Sequence, residues 1–190
     1  MFSDDSLTTD ASRVVRLCKL ILDEPLTFEW SCESRVDTVD RDLLRLMREA
    51  GCRLIHFGVE TGVPFIMRKI GKGYDLEAVE QVVSDACSAG LDVVCSFIIG
   101  LPDDTVETIE ETIKYARNLR TIGRKMGKRV ITPFGILTPF PGTVVYEKSD
   151  KLGIRFLTRD WDRYNSSSAA GFAQCPCGGR LRVRGTPHRY

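Results

Sequence analysis

The stretch Glu49–Glu60, EAGCRLIHFGVE, contains the pattern that decides the fold. It begins where a helical pattern ends, turns through Ala-Gly, and continues into an apolar run whose side chains alternate between two faces. The same arrangement returns 39 residues later in SAGLDVVCSFIIG, Ser88–Gly100. A helix, an Ala-Gly turn and a strand repeated at this spacing predict parallel strands joined by right-handed crossovers, because parallel neighbours need a connection that passes over the sheet.

Further strands and helices extend this alternation along the chain. Strand-like runs cover Leu26–Val36, Arg53–Glu60, Asp92–Ile99 and Val130–Leu137. Apolar residues at helical spacing predict helices over Asp10–Leu22, Asp40–Ala50, Asp75–Ala89 and Asp104–Leu119. Asp104 and Glu107 have the spacing of a capping box at the start of the last helix. The alternation predicts an α/β fold, either a doubly wound sheet or part of an α/β barrel, with functional residues at the carboxyl ends of the strands.

Composition restricts the class of protein. The 190 residues suffice for one domain with a sizeable core, and 27 basic against 26 acidic residues give a net charge of +1. This balance provides no general attraction to nucleic acid or to anionic membranes. No apolar run approaches the roughly 18 residues of a membrane span, and no signal peptide is recognisable. We therefore expect a cytoplasmic protein that binds neither membrane nor nucleic acid.

The seven cysteines are odd in number and most lie within apolar runs, which predicts reduced, buried thiols rather than a disulfide framework. Only Cys175 and Cys177 are closely spaced. They belong to a basic segment without acidic residues, 165–190, which we expect to be disordered and separate from a domain at 1–164. A metal-binding or nucleic-acid-binding tail is an alternative, although the two cysteines and His188 fall short of a four-ligand zinc site.

One predicted strand presents a polar face. In Arg53–Glu60, the residues His56, Gly58 and Glu60 share the side opposite to the apolar residues, which predicts that they line an interior cavity. A carboxylate buried at the strand end needs a partner such as a ligand hydroxyl or an arginine, whereas a solvated Glu60 needs none. His56 and Glu60 also permit an unrelated α/β enzyme with an acid–base pair, although no nucleophile, phosphate-loop or zinc-protease motif accompanies them.

Six segments taken together resemble the radical S-adenosylmethionine (radical SAM) superfamily, and most closely its cobalamin-binding class. In family order and spacing they are FSDDSLT, SRVDTVDRDLLRLMREAGC, IHFGVETG, CSFIIGLPDDTVET, TPFPGT and LTRDWDRY. The resemblance implies a parallel, TIM-type partial (β/α)6 barrel. It also implies a [4Fe-4S] cluster whose open iron binds S-adenosylmethionine (SAM), with reductive cleavage of SAM to a 5′-deoxyadenosyl radical.

The resemblance assigns residues to the methionine and ribose parts of SAM. Asp4 and Asp5 stand where family members present acidic groups to the methionine ammonium. Ser34 and Arg35 end the next strand, near the methionine carboxylate or the ribose. Glu60 is similar to the family residue that accepts hydrogen bonds from the ribose hydroxyls.

The adenine end is assigned to the two strands that follow. Ser96, Ile98 and Gly100 fit the family strand that passes along adenine, with Ser96 in place of the first glycine. Ile136 lies on the strand expected to flank the adenine ring. Gly100 is therefore expected to border the same hollow as Glu60 and the aspartates.

The sequence departs from the family at the cluster motif. C-x-x-x-C-x-x-C, expected ahead of Phe2, is absent. We therefore expect an amino-terminally truncated, incomplete barrel that has no metal site of its own and cannot assemble the cluster, with any cobalamin-binding region further upstream. An open barrel edge at Met1–Asp5 predicts that a complementary fragment binds there or that the chain self-associates. The resemblance also implies a reductant and a small-molecule or macromolecular substrate whose identity is unknown. A catalytically inactive barrel that acts as a binding or partner module is the alternative.

Overall fold

The computed structural model describes residues 1–25, 27–156 and 173–174. The α-helices within these residues are α1 Ala11–Asp23, α2 Arg41–Glu49, α3 Pro64–Lys69, α4 Leu76–Ser88, α5 Val106–Lys125 and α6 Val144–Glu147. The strands are β1 Trp30–Ser34, β2 Cys52–Glu60, β3 Asp92–Ile99, β4 Val130–Ile131, β5 Phe134–Ile136, β6 Arg155–Phe156 and β7 Ala173–Gln174. The rest of the segment predicted to be a disordered tail lies outside the described residues.

The first five strands form a parallel sheet, and this confirms the predicted architecture of an incomplete parallel barrel. Its order is β1-β2-β3, and β4 and β5 both pair with β3. Helices connect β1 to β2, β2 to β3 and β3 to β4, whereas only Thr132 and Pro133 lie between β4 and β5. Neighbouring helices pack as α1 on α2, α2 on α4 and α4 on α5. The two-residue strands β6 and β7 form a separate antiparallel pair.

The two faces of the sheet differ as predicted from the alternation in β2. Ile55, Phe57 and Val59 are fully buried against the helices. His56 and Glu60, on the opposite face, remain half-buried. The apolar face supplies the main core together with the buried sides of α1, α2, α4 and α5, and His56 and Glu60 on the polar face lie outside this core.

Two strand predictions were too long. Of the predicted strand Leu26–Val36, only β1, Trp30–Ser34, forms a strand, and residues 27–29 lie outside the sheet. The pairing of β1 with β2 is irregular between Trp30 and Ser31. Leu26 lies outside the described residues. The Val130–Leu137 prediction divides into β4 and β5. Pro133 separates them, since proline has no amide hydrogen to donate to a ladder.

The capping prediction for α5 was also wrong. Thr105 is the N-cap and exchanges reciprocal side-chain-to-backbone hydrogen bonds with Thr108, so the helix begins at Val106 instead of following an Asp104–Glu107 box. The Asp104 carboxylate instead accepts hydrogen bonds from the amides of the preceding loop. The helix also continues to Lys125, beyond its predicted end.

The amino-terminal segment runs beside the edge strand β1. The Phe2 amide donates to the Ser31 carbonyl at 2.8 Å, and the Phe2 ring packs edge-on against Trp30 with centroids 5.1 Å apart. This contact brings the segment to the edge of the sheet at which the sequence predicts an opening. Among the described helices, none is both long and apolar enough to cross a membrane.

Candidate functional site

A hollow of about 340 Å³ lies at the carboxyl ends of β1, β2 and β3, on the open face of the sheet. We call it the strand-end hollow. It is lined by Asp5, Ser6, Glu33, Ser34, Arg35, His56, Gly58, Glu60, Lys72 and Ser96. Its volume falls within the range of about 300–1,000 Å³ typical of small-molecule sites. Because both carboxylates and cationic groups converge there, the hollow suits a ligand that carries groups of both charges.

Glu60 ends β2 in an uncommon backbone conformation. Its φ is +71°, in the left-handed region that residues other than glycine rarely adopt. The Thr61 amide donates to the Val59 carbonyl at 3.0 Å, so Glu60 is the central residue of a γ-turn of the strained form. The register of β2 on β3 also shifts between Gly58 and Glu60. Strain of this kind costs about 1–3 kcal/mol and is concentrated at active sites and ligand clamps.

The partner of Glu60 is Lys72, in the loop between α3 and α4. Lys72 Nζ lies 3.1 Å from Glu60 Oε1 and donates at 2.8 Å to the Gly58 carbonyl, which also accepts a hydrogen bond from the Tyr74 hydroxyl at 3.0 Å. Sequence reasoning expected an arginine or a ligand hydroxyl and missed Lys72. Its flanking glycines, Gly71 and Gly73, indicated a loop but not its direction.

The β1 side of the hollow is formed by a buried serine, Ser34, and an arginine in an ion pair, Arg35. Ser34 is 5% exposed, and its hydroxyl contacts that of Thr8, so it borders the hollow while anchoring the amino-terminal segment. Arg35 donates twice to Asp37, at 2.9 and 2.7 Å. The guanidinium holds the pKa of the Asp37 carboxyl below its usual range, chiefly through these hydrogen bonds.

Further polar groups face the same space. His56 Nδ1 lies 3.8 Å from Glu33 Oε1 across the β1–β2 pair. The Ser96 hydroxyl donates to the Phe57 carbonyl at 3.5 Å. Ser6 Oγ is buried and has no hydrogen-bond partner among the described residues. A buried hydroxyl without a partner is costly, so Ser6 is a group that a polar ligand would satisfy.

Four of the residues assigned by resemblance lie outside the strand-end hollow. Asp4 is exposed and pairs with Arg13 at 3.4 Å. Gly100 is buried in the loop after β3, and its amide donates to Asp104. Ile98 packs with a small apolar cluster beyond the hollow, and Ile136 is not among the lining residues. The structure therefore brings together Asp5, Ser34, Arg35, Glu60 and Ser96.

Two larger depressions occur elsewhere on the described surface. One, of about 630 Å³, lies between the amino-terminal ends of α1 and α2. The other, of about 540 Å³, lies at the amino-terminal ends of β1 and β2, near Pro25 and Phe28. Neither borders the carboxyl ends of β2 and β3, where ligands of parallel α/β sheets bind, so we place the candidate site in the smaller strand-end hollow.

The cysteines of the described residues are free and buried, as predicted. Burial raises the pKa of Cys95 to about 12 and, together with the nearby Cys32, that of Cys18 to about 11. Thiols that stay protonated are poor metal ligands. Within the described residues no three cysteine, histidine, aspartate or glutamate side chains converge as a metal site.

Comparison with known proteins identifies the family. A family model described as the radical SAM superfamily matches residues 4–116, which is more than half of the chain and includes the strand-end hollow. The chain belongs to the radical SAM superfamily. The parallel sheet is thus part of a radical SAM barrel.

Individual relatives and a solved structure are methyltransferases and a cyclase. An uncharacterized methyltransferase from Pyrococcus horikoshii is 34% identical over 87% of this chain and 34% of its own length. The anaerobic magnesium-protoporphyrin IX monomethyl ester cyclase of Rubrivivax gelatinosus is 25% identical over 87% of this chain and 28% of its own. The radical SAM methyltransferase TsrM from Kitasatospora setae, solved with tryptophan and a SAM analog, has a TM-score of 0.67 and 19% identity, over 83% of this chain and 32% of TsrM.

The similarity covers only part of each relative. The chain spans about a third of the length of the curated relatives it matches. The TsrM likeness, at 19% identity, shows the fold of the barrel.

Proposed function

We propose that the strand-end hollow is the SAM site of this chain, and that the chain is the SAM-binding portion of a radical SAM enzyme. The observation that carries the proposal is the convergence of Asp5 and Glu60, which are far apart in sequence, at one end of a radical SAM sheet. Asp5 and Glu33 suit the methionine ammonium. Glu60 accepts from the ribose hydroxyls, and the Ser6 hydroxyl gains the partner it lacks.

The proposal extends to the activity of the relatives. TsrM has been solved with a SAM analog and, separately, with cobalamin and a [4Fe-4S] cluster. The Pyrococcus and Rubrivivax relatives are a methyltransferase and a cyclase by name. We propose a transferase or a related radical enzyme, in which the cluster supplies the electron for reductive cleavage of SAM when bound. The residues of this chain bind and orient SAM.

The cluster does not fit the residues of this chain. The 190 residues contain no C-x-x-x-C-x-x-C, and the described residues hold no converging metal ligands. We propose that these 190 residues alone bind SAM without cleaving it, and that the cluster ligands lie outside them. The same mismatch favours the second candidate function, a catalytically inactive barrel that acts as a partner module.

The β1 edge of the sheet is where we propose that a partner binds. β1 pairs with β2 on one side, whereas on the other side the amino-terminal segment supplies the Phe2–Ser31 hydrogen bond. Unpaired strand groups attract a further strand. We propose that a complementary barrel fragment or a second copy of the chain adds here.

Equilibrium dialysis with labelled SAM tests the proposed site. The wild-type chain should bind one SAM, and Glu60→Gln and Asp5→Asn should each weaken binding about tenfold, because each removes a charged hydrogen-bond partner. Asp4→Asn is the matched control, since Asp4 is exposed and lies outside the hollow. No binding by the wild type, or equal losses in Asp4→Asn and Asp5→Asn, would reject the assignment and favour the partner module.

A further inference from the structure

The loop between α3 and α4 reaches across to the end of β2. Lys72 Nζ contacts the Gly58 carbonyl at 2.8 Å and Glu60 Oε1 at 3.1 Å, and the Tyr74 hydroxyl donates to the same carbonyl at 3.0 Å. We infer that Lys72 and Tyr74 are positioning residues, which hold the strained end of β2 so that the Glu60 carboxylate keeps one orientation in the hollow. The inference rests on the proposed SAM site.

The need for such a clamp follows from the backbone. Glu60 has a φ of +71° and is the centre of a γ-turn, next to the register shift between β2 and β3. An uncommon conformation persists only when its surroundings over-determine it. The two donors on the Gly58 carbonyl come from the 72–74 loop and supply that restraint.

The Lys72–Glu60 pair differs from a surface ion pair on the same segment. Its side chains are 17% and 19% exposed, whereas those of the Lys69–Asp103 pair are 62% and 39% exposed. Solvent screens the exposed pair strongly and the shielded pair much less. Lys69 therefore provides a control of the same residue type that makes a similar contact outside the hollow.

Gly58 leaves the space into which the carboxylate folds. A Cβ at this position would overlap Glu60 Oε1 and come within 3.7 Å of Lys72 Nζ. The overlapping atom is the far end of a flexible side chain, so the fold tolerates alanine while the carboxylate has to move. Gly58→Ala thus alters the orientation of Glu60 without removing a charge.

Tyr74 acts as a donor over the whole range of working pH. Burial raises its pKa to about 12, so the hydroxyl keeps its proton. Tyr74→Phe removes the hydrogen bond to the Gly58 carbonyl and leaves the ring in place. This variant separates the restraint on the backbone from the charge of Lys72.

The test compares Lys72→Met, Tyr74→Phe, Gly58→Ala and Lys69→Met in the full chain by two measurements. The first is amide hydrogen exchange of the peptide 58–62 without ligand. Lys72→Met should accelerate this exchange about tenfold, with a smaller effect from Tyr74→Phe and none from Lys69→Met. An unchanged rate in Lys72→Met overturns the clamp.

The second measurement is SAM affinity by calorimetry. Lys72→Met and Gly58→Ala should each weaken binding about tenfold, and Lys72→Met should add nothing in the Glu60→Gln background, because it acts through Glu60. Lys72→Arg should recover part of the affinity. Losses that multiply in the double variant would show that Lys72 acts independently of Glu60, and an unchanged affinity in Lys72→Met would overturn the inference.

The two measurements separate this inference from the proposed function. If the wild-type chain binds no SAM, the proposed function fails and the exchange rates alone decide on the clamp. If the wild type binds SAM but the exchange rate or the SAM affinity does not respond to Lys72→Met, the site stands and the positioning role is overturned.

Discussion

The ends of β2 and β3 belong to the two halves of a sequence repeat, yet they are completed differently. After β3, Gly100 turns the chain at a φ of +90°, and its amide and that of Leu101 donate to the buried Asp104 at 2.8 and 2.9 Å. After β2, Glu60 takes its partner from Lys72, in a distant loop, and faces the strand-end hollow. The polar groups after β3 are satisfied within one loop, whereas the carboxylate after β2 lines the strand-end hollow.

The largest loss of stability is expected at the end of β3, where Asp104 binds the loop amides. Asp104→Ala removes the acceptor of two amides and of the Thr108 hydroxyl, and leaves these donors without it in a buried loop. The free energy of unfolding, measured with urea, should fall by about 2–4 kcal/mol. Asp103→Asn is the control and should change it by no more than about 0.5 kcal/mol, because Asp103 is exposed and asparagine tolerates its φ of +75°. Equal losses would show that the Asp104 carboxylate does not stabilise the loop after β3 in the way described.

A smaller loss of stability is expected at Gly62, near the end of β2, and it should exceed the loss at Gly58. A Cβ on Gly62 would lie 2.6 Å from Tyr115 Cβ and 2.9 Å from Thr112 Cα, so Gly62→Ala forces the chain away from α5. The free energy of unfolding should fall by about 1–3 kcal/mol. Gly58→Ala meets a movable carboxylate and should cost less than about 0.5 kcal/mol. Thermal or urea unfolding measures both losses. A larger loss of stability in Gly58→Ala than in Gly62→Ala would contradict the expectation that Gly62, and not Gly58, lies against a rigid contact.

The smallest effect is expected at the rim of the hollow. The hydrogen bonds from Arg35 lower the pKa of Asp37, so the stabilisation is present above the unfolded-state pKa of about 4 and disappears as the pH falls through the folded-state value. Both side chains are partly exposed, which limits the effect of Asp37→Asn at pH 7 to about 1 kcal/mol. Urea unfolding at neutral and acidic pH measures it. A difference that grows on acidification would contradict the ion pair.

Asp42→Asn provides the matched control for this pH dependence. Asp42 is 95% exposed and 3.9 Å from its arginine neighbour, Arg45. Its substitution should leave the free energy of unfolding nearly unchanged at both pH values.

The repeat and the alternation of side chains were sufficient to predict the sheet and its two faces. β3 has its predicted bounds, and β2 differs by one residue, because a buried strand between two helices has a strong apolar pattern. The predictions failed where single residues interrupt the pattern. Pro133 divides one predicted strand, and Thr105 instead of Asp104 caps α5.

The site was predictable only in part. The family resemblance assigned Asp5, Glu60 and Ser96 to one site, and the structure places all three at the strand-end hollow. The alternation of side chains by itself indicated only Glu60, at the carboxyl end of its strand. Lys72 was missed, since a loop between two helices carries no periodic signal that fixes the direction of a side chain. Gly100 was expected in the hollow but lies in the loop closed by Asp104, an arrangement that depends on tertiary hydrogen bonds.

The central claim is that SAM binds at the open end of β2, and a ¹⁵N-labelled chain titrated with SAM tests it most directly by NMR. We predict amide shift changes that concentrate at Ser34, Gly58 and Ser96, around the strand-end hollow. Shift changes centred instead on the depression near Pro25 and Phe28, or none at saturating SAM, would contradict it.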